Sequence, residues 1–187
     1  RYPGTLLPGE PIRAGIVHRL DRDTSGVILV ARTVAAHESL ARQFRERTVK
    51  KIYWAVVLGK VAGEGRIDAP IGRHPGDRKR MSTRGRPARS AVTDFRPLES
   101  FQGATLIEAR PLTGRTHQIR VHLAARGWPI LGDRVYGANR APALIGRQAL
   151  HAASIEFAHP DTGRRLTVSA PLPSDFEALL VRLRAGS

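Results

Sequence analysis

Residues 51–58 read KIYWAVVL, with Lys50 before them and Gly59 after. Side chains on a strand point alternately to its two faces, and here both faces are apolar, which suits a strand near the middle of a sheet. Toward the N-terminus, residues 34–47 set Val34, Leu40, Ala41 and Phe44 at helical spacing and predict a surface helix. Residues 15–18 (GIVH) and 26–31 (GVILVA) read as short buried strands on either side of the polar loop HRLDRDTS. Toward the C-terminus, residues 65–71 read as a strand, 73–90 as a basic loop or hairpin, and 91–98 and 104–111 as two further strands. Ile119, Val121, Leu123 and Ala124 predict a short helix beginning near Thr116. Residues 149–158 and 165–170 pair as a hairpin around His159-Pro160-Asp161-Thr162-Gly163. Ser174-Asp175-Phe176-Glu177 reads as a capping box that opens a last helix, ending near Arg184. Many strands, few helices and no strict alternation predict an α+β fold around a mostly antiparallel sheet.

The 187 residues suit one domain, 1–187, with a core of its own. Hydrophobic residues make up 41% and charged residues 25%, as in a soluble globular chain. No apolar run approaches the roughly 20 residues of a membrane helix, so no membrane partner is expected. The net charge is +15 and the isoelectric point about 11.6. Such a surplus attracts polyanions and points to a nucleic-acid partner, although a charged, solvated face has the same composition. The chain has no Cys, which excludes disulfides, thiolate nucleophiles and Cys-based metal sites. The absence of a signal-peptide pattern points to the cytoplasm, and a monomer is the default expectation.

Three segments carry candidate chemistry. His18-Arg19-Leu20-Asp21-Arg22-Asp23-Thr24-Ser25-Gly26 concentrates charge in a loop fixed at both ends, as active-site loops are; an Asx-type turn with surface ion pairs has the same composition. Gly114-Arg115-Thr116-His117-Gln118-Ile119-Arg120-Val121-His122 joins a helix start to guanidinium forks, which suits phosphate or carboxylate binding; a basic amphipathic helix against the core is the alternative. His117 and His122 are five apart, a poor spacing for a zinc pair on one helix face, and no metal or other cofactor is expected. Tyr53 could stack on a base, though a strand tyrosine commonly just packs in the core. The cations of 73–90, among them Arg73, Lys79 and Arg80, suit phosphate contact or a solvated loop.

Taken in order, HRLDRDTSG (18–26), KKIYWAVVLG (50–59), GRTHQIRVHLAARGWPILGDRVYG (114–137) and LHAASIEFAHPDTG (150–163) resemble the RluA-type pseudouridine synthases, over about 15–176. The resemblance implies a catalytic core built on a mixed, mainly antiparallel sheet with helices and loops around a cleft. It implies Asp21 as the catalytic aspartate, Tyr53 as the active-site tyrosine and Arg115 as the arginine paired with Asp21. Arg19 would reach into RNA near a flipped uridine, with Arg22, Arg73, Lys79, Arg80, His117 and Arg120 as further RNA contacts. The implied reaction turns uridine into its carbon-linked isomer without a cofactor. The stretch 147–160 is most similar to large-subunit ribosomal members, which favours ribosomal over transfer RNA. Relatives carry a strand ending in Lys-Pro before HRLD, and often a small RNA-binding domain before that; neither pattern is found here. Two rival readings are a catalytically inactive RNA-binding or ribosome-assembly protein, and a metal-dependent nuclease or phosphatase built on Asp21, Asp23, His117 and His122.

Overall fold

The computed structural model describes residues 15–77, 80–137 and 144–186. In chain order the elements are β1 (Ser25–Gly26), α1 (Val34–Glu46), β2 (Lys50–Leu58), β3 (Gly65–Asp68), β4 (Gly72–Arg73), β5 (Met81–Ser82), β6 (Val92–Phe101), β7 (Ala104–Pro111), α2 (Gln118–Ala125), β8 (Leu150–Ala158), β9 (Arg165–Ser169) and α3 (Ser174–Ala185). The main sheet has seven strands in the order β1-β8-β2-β7-β6-β3, with β9 also paired to β8. Only β1 runs parallel to its neighbour; the other pairs in this sheet are antiparallel. The fold is therefore α+β on a sheet that is mainly antiparallel, as the order of segments predicts, and mixed, as the resemblance implies. No described helix is long and apolar enough to cross a membrane.

Strand β2 lies between β8 and β7, the central position its two apolar faces require. Ala55, Val56 and Val57 are wholly buried there, in a core shared with Ile107, Leu123, Ile130 and Phe176. A second cluster seats α1 on β8 through Leu40, Ile155 and Phe157. Gln43 completes that docking: its amide nitrogen donates to the Ala158 carbonyl at 2.9 Å, and its oxygen accepts the Ala158 N–H at 2.8 Å.

The structure corrects the sequence reading in three places. Residues 15–18 and 26–31 do not form two strands; what remains is β1 and a single bridge between Ile16 and Val30. The alternation is real, with Val17, Val27, Leu29 and Ala31 inward and Ile16, Ile28 and Val30 outward, but a side chain takes a ladder position. The Leu29 N–H donates to His18 Nε2 at 2.7 Å, where a strand would need a carbonyl. The predicted strand 65–71 ends at Asp68, just before Pro70, which has no N–H to donate. The capping box is absent: Pro173 is the N-cap, Ser174 lies inside α3, and no side chain caps the helix. The Pro173 carbonyl accepts the N–H groups of Phe176 and Glu177 instead.

Candidate active site

The loop between His18 and β1 is held by side chains that grip its backbone. Gln148 Nε2 donates to the Arg22 carbonyl at 2.6 Å and to Thr24 Oγ1 at 3.1 Å, and Arg147 Nη1 donates to the Asp23 carbonyl at 3.1 Å. A turn closes between the Thr24 N–H and the Asp21 carbonyl. Behind it, Gly26 sits at φ +117° with its Cα against the backbone of Ala152, where a Cβ would come within 2.2 Å of the Ala152 oxygen. In front, the His18 ring stacks on Phe44 of α1 at 4.8 Å. Burial, helped by the charge of Lys51, pulls His18 down to about 4 and keeps it neutral, as its role as acceptor for Leu29 requires. Fixed on every side, the loop presents the Asp21 carboxylate, whose side chain is 14% exposed.

The second segment is held by Gln118. Its Oε1 accepts from Thr113 Oγ1 at 2.6 Å and from the Arg115 N–H at 3.0 Å, while its Nε2 donates to the Val92 carbonyl and to Thr93 Oγ1. Helix α2 therefore begins at Gln118, two residues after the expected Thr116, and His117 is left at φ +56°. Arg120 then lies on the inner side of α2. Its Nε and Nη2 donate to the two oxygens of Asp133 at 2.7 and 2.9 Å, and its Nη1 donates to Asp21 Oδ2 at 3.3 Å. Burial alone would lower Arg120, but the hydrogen bond and charge of Asp133, with the charge of Asp21, outweigh it and push the guanidinium up. Asp133 is fully buried, and burial works to raise it; Arg120 and the N–H groups of Tyr136 and Val135 hold it below the usual carboxylate range.

Asp21, Tyr53, Arg19, Arg115 and His117 line one cleft of about 480 Å³. Strand β2 supplies Tyr53 at a shift in its register with β8, a bulge that re-aims the side chain. Burial and then the Asp21 charge push the Tyr53 phenol up to about 12, so it is protonated at neutral pH. Two residues earlier, Lys51 reaches the same cleft and donates to the Thr113 carbonyl at 3.3 Å; burial and Arg47 lower it to about 8.

The expected pairing of Arg115 with Asp21 is not what the structure shows. Arg115 Nε donates to the Ser90 carbonyl at 2.9 Å, and the guanidinium on Asp21 belongs to Arg120. Arg120, expected as an RNA contact, is 5% exposed and enclosed between two carboxylates. Arg22 is exposed and, with Arg73 and Arg80, stands outside the residues lining the cleft; Lys79 lies outside the described residues. His122 is wholly buried, with both ring nitrogens engaged by Thr93 Oγ1 and the Ala69 carbonyl. Among the described residues no group of three or more His, Asp or Glu is placed to hold a metal. Asp133, Gln118, Gln148, His18 and Lys51 were not singled out from the sequence, because each acts through a fold-level contact. The signal available was a lone Asp in GDRVYG, downstream of an arginine-bearing helix.

The family model described as RNA pseudouridylate synthase matches residues 6–125. An uncharacterized RNA pseudouridine synthase of Chloroflexus aurantiacus is 50% identical over 98% of this chain and 58% of its own length. A ribosomal large subunit pseudouridine synthase D of Nitrosomonas europaea is 50% identical over 92% of this chain and 52% of its own. The chain thus spans a little over half the length of these curated relatives. Among solved structures, human RNA pseudouridylate synthase domain containing 4 superposes with a TM-score of 0.75 at 31% identity, covering 90% of this chain and 75% of that one. Human RNA pseudouridylate synthase domain containing 1 gives 0.73 at 32%, covering 91% and 80%. With this match to the family model and these relatives, the chain belongs to the RNA pseudouridylate synthase family, in its RluA-type branch.

Proposed function

We propose that this chain carries the catalytic site of an enzyme that converts specific uridines in RNA to pseudouridine, with large-subunit ribosomal RNA as the substrate. The observation that carries the reading is the Asp21 carboxylate, open to the cleft beside Tyr53 and braced from beneath by Arg120 and Asp133. The name printed for several relatives, ribosomal large subunit pseudouridine synthase D, supports ribosomal over transfer RNA. The same reading places the protein in the cytoplasm, where that RNA is modified.

Asp21 is the group that acts at the ribose, either by attacking C1′ or by removing a sugar proton. Arg120 keeps that carboxylate in place. Tyr53 stacks on the uracil, an interaction worth about 1–3 kcal/mol; with its proton held to high pH it is a contact and a donor rather than a base. Arg19 and Arg115 hold the flanking RNA and offset the few kcal/mol needed to extrude a stacked base. The direct test is tritium release from RNA labelled at uridine C5, with the parent chain and with Asp21→Asn. Release by the parent alone, unchanged in EDTA, is the expected result. Parental release by Asp21→Asn would overturn the assignment of Asp21, and dependence on a divalent metal would favour a hydrolase instead.

A further inference from the structure

Strand β5, the start of α2 and the chain after Asp133 meet at one ring that the scheme above does not use. Tyr136 packs with Met81 against Ile71, Ala91 and Val121. Its Oη accepts the Met81 N–H at 2.9 Å and lies 2.9 Å from His117 Nδ1. The two rings meet edge to face at 5.7 Å. Arg120 and Arg80 lie over the Tyr136 ring at 5.1 and 5.5 Å, and its N–H donates to Asp133 Oδ1 at 3.1 Å.

A phenol has one hydrogen to donate. Oη takes the Met81 N–H on one lone pair, and with its own hydrogen turned to His117 Nδ1 the imidazole carries its hydrogen on Nε2. Burial holds His117 below the ordinary histidine range against the pull of Asp21, so the ring is neutral. Its left-handed backbone is a conformation that a non-glycine residue keeps only when its surroundings impose it. Among the described residues Nε2 has no hydrogen-bond partner, and His117 lines the cleft with Asp21 and Tyr53.

We propose that Tyr136 is a positioning residue that locks His117 as a neutral Nε2–H donor, and that this donor receives a carbonyl oxygen of the extruded uracil. The proposal rests on the reading of the chain as a pseudouridine synthase. When the bond from C1′ to N1 breaks, the electron pair stays with the uracil and its charge spreads onto the carbonyl oxygens. C5 then bonds to C1′, C5 loses a proton and N1 gains one, so the composition of the RNA is unchanged. A fixed N–H donor binds the anionic ring more strongly than the neutral one, and so lowers the barrier to cleavage. The other tautomer would turn a lone pair toward the carbonyl and repel it.

The test combines ring ¹⁵N shifts of the labelled parent chain at neutral pH with kinetics of Tyr136→Phe. The parent is expected to hold His117 as the Nε2–H form, and the variant to show a mixture of tautomers. In Tyr136→Phe, kcat for isomerisation falls about tenfold while the Kd for RNA stays within about twofold. The acid limb of kcat/KM moves to higher pH, because Nδ1 no longer accepts a hydrogen bond that favours the neutral ring. Asp21 and Arg19 in the loop, Arg120 on α2 and Asp133 behind it all act on that ring and are retained in the variant. His117→Gln, which keeps an N–H donor, should retain more activity than His117→Ala. A parent His117 found charged or as the Nδ1–H form overturns the proposal, as does parental kcat in Tyr136→Phe. A parent with no isomerase activity would overturn the proposed function and the uracil contact with it, and the tautomer measurement would then decide only whether Tyr136 locks His117.

Discussion

At Arg120 two carboxylates share one guanidinium, and their positions give them different work. Asp133 is fully buried and takes the fork bidentately; Asp21 takes the remaining nitrogen at 3.3 Å with one edge open to the cleft. Removing one partner of a buried pair leaves an uncompensated charge, at a cost of about 3–5 kcal/mol. Asp133→Asn, measured by urea unfolding, should therefore destabilise the chain by that amount and release Arg120 from its place under Asp21. Arg115→Ala should change stability by no more than about 0.5 kcal/mol, since among the described residues the Arg115 side chain holds only the Ser90 carbonyl. Equal losses in the two variants would contradict this division between bracing and cleft-facing arginines. Sequence alone could not separate them. Arg115 and Arg120 stand in one seven-residue motif, and which of them meets Asp21 depends on the helix starting at Gln118 rather than Thr116. Gln118 sets that start through contacts with residues 92 and 93, far away in sequence.

Strand β1 is two residues long, yet it decides where the loop can sit. Ser25 and Gly26 pair with His151 and Ala152, and Ser25 Oγ meets His151 Nδ1 at 3.0 Å. At φ +117°, with the Ala152 oxygen 2.2 Å from any Cβ, position 26 accepts no side chain without backbone movement. Gly26→Ala should lower the urea midpoint by about 1–3 kcal/mol equivalent and reduce activity with it. Gly63→Ala, where a Cβ meets nothing within 4 Å, is the control and should stay within about 0.5 kcal/mol of the parent. If the two variants behave alike, Gly26 is not what seats the loop. Elements whose evidence is local were legible in the sequence: the doubly apolar β2, the amphipathic α1, and the β8–β9 hairpin around its Pro and Gly turn. Those that depend on side chains replacing backbone partners were not. His18 stands where a strand carbonyl was expected; at α3 the exchange runs the other way, the Pro173 carbonyl taking the Glu177 N–H that the Ser174 side chain of a capping box would have engaged. The Tyr53 bulge was equally silent, because register is set by the partner strand.

The whole molecule responds to pH and salt through different groups. His18, His122 and His151 are all held below the ordinary histidine range, first by burial, and each bonds to structure in that state. In the unfolded chain they take up protons near pH 6.5, so the stability they contribute is complete above that pH and is lost as the pH falls toward about 4, where His18 titrates. Thermal unfolding should show the melting temperature dropping between about pH 7 and 5, with a shallower drop in His18→Gln; a flat profile would mean these rings are not neutral in the fold. Salt acts instead on the surplus of +15. Each phosphate neutralised by Arg or Lys releases counterions, so the logarithm of RNA affinity should fall linearly with the logarithm of salt, at about 0.7–0.9 per contact. Arg19 lines the cleft as an exposed cation, so Arg19→Ala should lower that slope by roughly one contact. On the proposed assignment of Asp21 to the sugar, Asp21→Asn should leave the slope unchanged while abolishing isomerisation, because a carboxylate neutralises no phosphate. A salt-independent affinity, or an Arg19→Ala slope equal to the parent's, would mean that the RNA is held by contacts other than these cations.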